Sequence, residues 1–195
     1  MNQKTNTIKW LAITTMTIDH IGYFLFPSLV WLRLIGRVAF PCFLYTTIQA
    51  VEKTSDFRNY ILRLVGTGLI SILVTSMTGN YLNILFTLAI FAVSLKYPSF
   101  FIPGLLLSYF TEYSIYGFLL GWAIYLMVRK DIKLGIPLLL LVHIDYINSI
   151  QIFALLAVIP ILLPFEWRLP RFPKWLGYGY YPIHQLILMM ITFLK

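Results

Sequence analysis

Charge is what this 195-residue sequence has least of. Only 11% of it is Asp, Glu, Lys or Arg, against about 25% in soluble globular domains. With 59% hydrophobic residues, 17% aromatic residues and a mean hydropathy of +0.82, too little polar surface exists to cover a water-facing fold. A polytopic membrane protein is the expected class. Acidic groups are scarcest, 7 against 15 Lys and Arg, leaving a net charge of +8. Those cations are scattered between apolar runs and form no basic domain, so they read as membrane topology and not as a nucleic-acid surface. The lone cysteine, Cys42, excludes an internal disulfide and reads as a small packing residue. Three histidines without ligand spacing give no metal site, and no Gly-rich phosphate loop is present. No repeat, low-complexity tract or long linker divides the chain, so a single integral membrane domain over 1–195 is expected.

What is present is a succession of apolar runs, at 8–26, 32–51, 58–77, 80–96, 99–111, 115–129, 133–148, 149–164 and 178–194. A bilayer crossing takes about 20 apolar residues. The expected fold is therefore all-α, a membrane helix bundle of about nine spans (eight to ten). The fifth to seventh runs are the shortest, and a re-entrant segment is the alternative there. Met1 to Lys9 resembles the start of a signal peptide. The run behind it is long, holds Asp19 and His20, and lacks a small-residue cleavage site, so a retained first span is expected. Lys4 and Lys9, Lys53 and Arg58, Lys96, Arg129 with Lys130 and Lys133, and Arg168 with Arg171 and Lys174 fall at alternate connections. Thr78-Gly79-Asn80, Glu112 and Asp145 mark the others. The positive-inside rule then puts the N-terminus in the cytoplasm, leaves Lys195 outside, and makes the chain a multi-pass protein of the cytoplasmic (inner or plasma) membrane.

Against that background, Asp19 and His20 stand inside the first apolar run, where an ionisable side chain costs about 2.5–3.5 kcal/mol. Arg33 and Arg37 open the second run and break the charge rule at the outer side. Asp19, His20 and Arg37 all fall about 10 Å deep, at 1.5 Å per helical residue. Adjacent helical residues point about 100° apart, so Asp19 and His20 do not face each other. The expected division gives Asp19 to Arg37 or Arg33 and leaves His20 facing a cavity, where a neutral imidazole takes a proton from a nucleophile. A buried Asp–Arg clasp that merely joins helices fits the same spacing.

Other candidates lie further on. Tyr180-Tyr181-Pro182-Ile183-His184 opens the last run, with Pro182 suited to a first helical turn. Counting from the run's start puts His184 about 9 Å from the inner face, the opposite half from His20. Arg58 and Arg63 supply donors for anionic phosphate at the cytoplasmic surface, or simply set topology. Asn83 and Thr87 share one helix face and either line a polar path or join helices. Arg33 and Asp145 are candidates for substrate contact, and His143 with Asp145 also reads as a solvated loop pair.

Asp19-His20-Ile21-Gly22, followed by Arg33-Leu34-Ile35-Gly36-Arg37-Val38-Ala39-Phe40-Pro41-Cys42-Phe43, resembles the TraX family of membrane acetyltransferases. Tyr60-Ile61-Leu62-Arg63-Leu64, Leu82 to Thr87 and Tyr181-Pro182-Ile183-His184 are similar to it in the same order. Where such proteins often show Glu-Gly and then His-Thr, this chain reads Gln49-Ala50-Val51-Glu52-Lys53-Thr54. The resemblance implies an enzyme drawing on acetyl-CoA or another acyl-CoA, with no metal. The founding member acetylates the N-terminus of a conjugative pilin, and the wider superfamily carries acetyl groups from cytosolic acetyl-CoA to acceptors on the far side. It also implies His20 as catalytic, supported by Asp19, Arg37 and His184. The expected function is acyl transfer to an amine or hydroxyl on a protein N-terminus, a glycan or a lipid-linked group. Arg58, Arg63, Asn83, Tyr181 and His184 would serve the acyl-CoA. A small proton-coupled transporter and a non-enzymatic assembly factor are the rival expectations.

Overall fold

The computed structural model describes residues 2–76, 82–164 and 166–194, and among them the secondary structure is helical without strands. The elements are α1 (Gln3–Phe24), α2 (Val30–Gly36), α3 (Ala39–Lys53), α4 (Phe57–Thr75), α5 (Ile84–Lys96), α6 (Phe101–Ser108), α7 (Ser114–Arg129) and α8 (Ile132–His143). Then follow α9 (Val158–Leu162), α10 (Lys174–Tyr178) and α11 (Tyr180–Phe193). Short 3-10 turns occupy Pro98–Phe100, Ile144–Tyr146 and Ile150–Ala157. Two helical segments, Val30–Lys53 and Phe57–Thr75, are long and apolar enough to cross a membrane. The first apolar run lies within α1, of 22 residues, and the later runs give shorter helices: α5 has 13 residues and α6 has 8. At 1.5 Å per residue these reach about 20 Å and 12 Å, against a hydrocarbon core of about 30 Å. The expected ends of the third and fourth spans, the Thr78-Gly79-Asn80 connection and Lys195 lie outside the described residues.

The second apolar run is a broken helix. Pro41 has no N–H to offer the carbonyl of Arg37, and its ring crowds that carbonyl. The helix accordingly stops at Gly36 and restarts at Ala39. Arg33 therefore sits on a seven-residue helix ahead of the break, and Arg37 is the residue that caps its C-terminus.

The chain divides into two compact units, Met1–Thr46 with His143–Lys195, and Thr47–Val142, the boundary falling within α3. In the second unit, Asp56 caps α4 by accepting from Asn59 N at 2.9 Å. Asn83 caps α5 through Leu85 N and reaches Gly68 O on α4 at 3.0 Å. The Glu112 carboxylate takes the Ile84 N–H at 2.9 Å, an acid placed at a helix N-terminus. Phe91, Phe101, Phe118 and Trp122 meet edge to face, with Gly121 allowing Phe91 to lie against α7. Arg129 grips Glu52 through two 2.6 Å bonds.

In the first unit, α1 presents two opposite faces. Asn6, Trp10, Thr17 and His20 recur at helical spacing along one of them and meet the C-terminal segment in chain order. Asn6 holds Leu169, Pro170 and Phe172, Trp10 donates to Pro170 O, Thr17 meets Tyr180, and His20 meets His184. Thr192 reaches Phe24 O at the far end, so α1 and α11 run parallel. Asp19 and Gly22, on the other face, pack against α2.

Candidate functional site

The α1–α2 contact is a charge clasp. Arg33 Nη1 donates to Asp19 Oδ2 at 2.9 Å and Arg37 Nη2 to Asp19 Oδ1 at 2.5 Å, so one carboxylate joins both guanidiniums. Arg37 Nη1 also donates to Gln151 Oε1 at 3.1 Å, and Arg33 lies over the Tyr23 ring at 4.8 Å. Gly36 makes this possible. A Cβ added there would stand 2.2 Å from Asp19 Cβ, and one added at Gly22 would stand 2.7 Å from Leu32 Cβ. The glycines of the Asp-His-Ile-Gly and Gly-Arg motifs are thus the places where two helices approach closely enough for short polar bonds.

On the other face, His20 Nδ1 lies 2.6 Å from His184 Nε2, with ring centroids 4.9 Å apart. His184 Nδ1 lies 2.6 Å from the carbonyl oxygen of Tyr180. A carbonyl only accepts, so His184 carries its proton on Nδ1. In the neutral ring its Nε2 is then an acceptor, and His20 must donate from Nδ1. That order of protons leaves His20 Nε2 as a bare lone pair, the form a general base requires. Tyr180 stacks on His184 at 4.7 Å, and its hydroxyl bonds to Thr17 at 2.7 Å, holding the second ring in place. Tyr181 stands edge-on to His184 at 6.1 Å.

His184 was expected in the opposite half of the bilayer from His20, and this is corrected. The count assumed that the last helix begins level with the first. Instead, residues 166–173 run beside the opening turns of α1 as non-helical chain, and α11 begins level with Thr17. A solvated His143–Asp145 pair is corrected in part: Asp145 is exposed in its 3-10 turn, but His143 is buried. Asp19, His20, Arg33, Arg37, Tyr181 and His184 gather in the first unit. Arg58, Arg63 and Asn83 belong to the second. There Arg58 and Arg63 are exposed on α4, while Asn83 is buried, its amide committed to α4 and α5. Thr87 bonds to Thr111 at 2.9 Å. Sequence reading missed Gln151 and Thr17. Gln151 had a signal, being the one polar side chain between Ile150 and Leu162; Thr17 had none.

These features define a class: an all-helical protein with membrane-length segments, a doubly clasped carboxylate and a polarised histidine pair. The family model described as TraX protein matches residues 4–99, and over those residues the chain belongs to the TraX family. The matched stretch holds Asp19, His20, Arg33, Arg37, Arg58, Arg63 and Asn83, with Tyr181 and His184 beyond it. A 45-residue stretch is 51% identical to Uncharacterized protein RP591 of Rickettsia prowazekii (strain Madrid E), covering 22% of this chain and 18% of that protein. No solved structure matches.

Proposed function

We propose that this chain is a multi-pass protein of the cytoplasmic membrane, N-terminus inside, that transfers an acyl group, acetyl in the first instance, from acyl-CoA to an amine or hydroxyl acceptor. The observation that carries the reading is the proton order Tyr180 O, His184, His20, which leaves His20 Nε2 open as a base. His20 takes the proton of the acceptor's N–H or O–H as that atom attacks the thioester carbonyl carbon. The carbon–sulfur bond breaks, the new amide or ester forms, and His20 returns its proton to the departing thiolate. His184 accepts the Nδ1–H throughout and so steadies the imidazolium. The thioester is already activated, so what remains for the protein is positioning and exclusion of water. Asp19 with Arg33 and Arg37 supplies rigidity at the wall of the site. The acceptor is a protein N-terminus, a glycan or a lipid-linked group.

A bilayer setting is supported by α4, where Leu62, Leu69, Ile70 and Leu73 are all exposed, a strip that water does not favour. The test is a thermal-shift titration of detergent-solubilised protein with acetyl-CoA and CoA, followed by acyl transfer with His20→Ala. Stabilisation by mass action and a loss of about 10²–10⁴-fold are expected. No shift at saturation favours the transporter or assembly-factor reading. Flux that follows pH without CoA binding selects the transporter.

A further inference from the structure

Residues 166–173 form a strap with no regular structure, fastened to α1. Asn6 Nδ2 donates to Leu169 O at 3.2 Å and Pro170 O at 3.0 Å, and Asn6 Oδ1 accepts from Phe172 N at 2.8 Å. Thr7 Oγ1 accepts from Trp167 N at 2.9 Å, and Phe172 is buried against Trp10. The strap is therefore held by its backbone and by Phe172, while its charged side chains point away. Arg168, Arg171 and, just beyond it, Lys174 are exposed, and none of the three makes an ion pair or hydrogen bond among the described residues. The other guanidiniums of this unit, Arg33 and Arg37, are committed to Asp19. Exposed Trp167 and Trp175 flank the three cations.

Distance gives the strap a role. It is tied at Asn6, and His20 lies 14 residues further along the same face of α1, which is about 21 Å at 1.5 Å per residue. This is the order of separation between the thioester sulfur of an acyl-CoA and its diphosphate. We propose that the strap binds the phosphate-bearing nucleotide end of the donor, with Arg168, Arg171 and Lys174 on the phosphates and a flanking tryptophan against the base. The pantetheine arm then lies along α1 and delivers the thioester to His20. The inference rests on the acyl-CoA reading above and adds to it where the donor is anchored. Unpaired cations on a backbone-fixed segment are pre-organised for phosphate, and guanidinium groups match its geometry.

The experiment measures CoA binding by calorimetry for the full chain in nanodiscs of zwitterionic lipid. It compares wild type with R168Q/R171Q/K174Q and repeats the titration with pantetheine, which lacks the phosphates. The expected result is CoA affinity weakened about tenfold or more in the triple variant, as three exposed charge contacts near the upper end of their usual strength would give. Pantetheine affinity is expected to stay unchanged, which also shows that the variant is folded. Equal CoA affinity in wild type and variant overturns the strap while leaving the acyl-CoA reading standing. CoA binding to neither overturns both. A variant that keeps CoA affinity but loses stabilisation by phosphatidylglycerol nanodiscs makes the strap a lipid-headgroup contact, which also overturns the proposal.

Discussion

Replacing Gly36 with alanine tests whether the α1–α2 approach is what holds the site. The new methyl carbon would stand 2.2 Å from both Asp19 Cβ and Asp19 Oδ1. Ordinary carbon contact begins at about 3.5 Å, so the helices must part by about 1.3 Å. If Asp19 moves away by that amount, its 2.5 Å bond to Arg37 and 2.9 Å bond to Arg33 open to about 3.8 Å and 4.2 Å, past hydrogen-bond range. Crowding of this kind costs about 1–3 kcal/mol, and a hydrogen bond to a charged group contributes about 1.5–3 kcal/mol. A loss of at least about 3 kcal/mol follows, which for a chain this long lowers the melting midpoint by about 6–12 °C. Intrinsic-fluorescence melting in detergent reads it directly. Gly66→Ala is the internal control, because a Cβ there meets nothing within 4 Å. That change is expected to be neutral or stabilising by up to about 1 kcal/mol. Equal melting points for Gly36→Ala and wild type would refute the close-approach reasoning.

Three further outcomes follow from the geometry. His184→Ala is expected to slow acyl transfer by more than about tenfold, while His184→Gln retains more activity because its amide oxygen can accept the His20 Nδ1–H; equal rates in the two variants would count against the proton order. Asn6→Ala removes three hydrogen bonds to the strap, about 3 kcal/mol of local stability. Trypsin cleavage at Arg168 and Arg171 is then expected to accelerate, and unchanged cleavage refutes the fastening. Asp56 is held below the usual carboxylate range by the Asn59 backbone and side chain. A depressed carboxylate stabilises above its unfolded pKa and loses that contribution as pH falls through the folded value. Hydrogen-exchange protection at the start of α4, taken relative to the intrinsic rate at each pH, is therefore expected to fall in acid, with that fall absent in Asp56→Asn.

The helical class and the position of nearly every helix were legible because apolar runs and polar breaks map directly onto them. The broken second run was legible in principle from Pro41, but its apolar continuity masked the stop at Gly36. The charge clasp could be read because so few acids lie near Arg33 and Arg37 in the sequence that Asp19 stands out. The His20–His184 contact was placed wrongly because residue counting assigns depth only when each run starts at a membrane face. The strap beside α1 shifts that origin by several residues, since Tyr180 near the start of its run lies beside Thr17 midway along the first, and its attachment depends on Asn6 and Thr7, polar residues that sequence periodicity treats as ordinary. Membrane-length segments were fewer than the runs suggested, since α5 to α9 stop short of a full crossing.

The fastening of α1 by the segment from Trp167 to Thr192 has a consequence for biosynthesis. Helix α1 carries Asn6, Thr17 and His20 on a face whose partners Phe172, Tyr180 and His184 lie 166, 163 and 164 residues further along the chain and are translated that much later. Until residue 184 emerges, those groups must stay hydrated or find temporary partners at the translocation machinery. A nascent chain cut short between Arg37 and His184 keeps the residues of the clasp from Asp19 to Arg33 and Arg37 but leaves His20 without its imidazole neighbour.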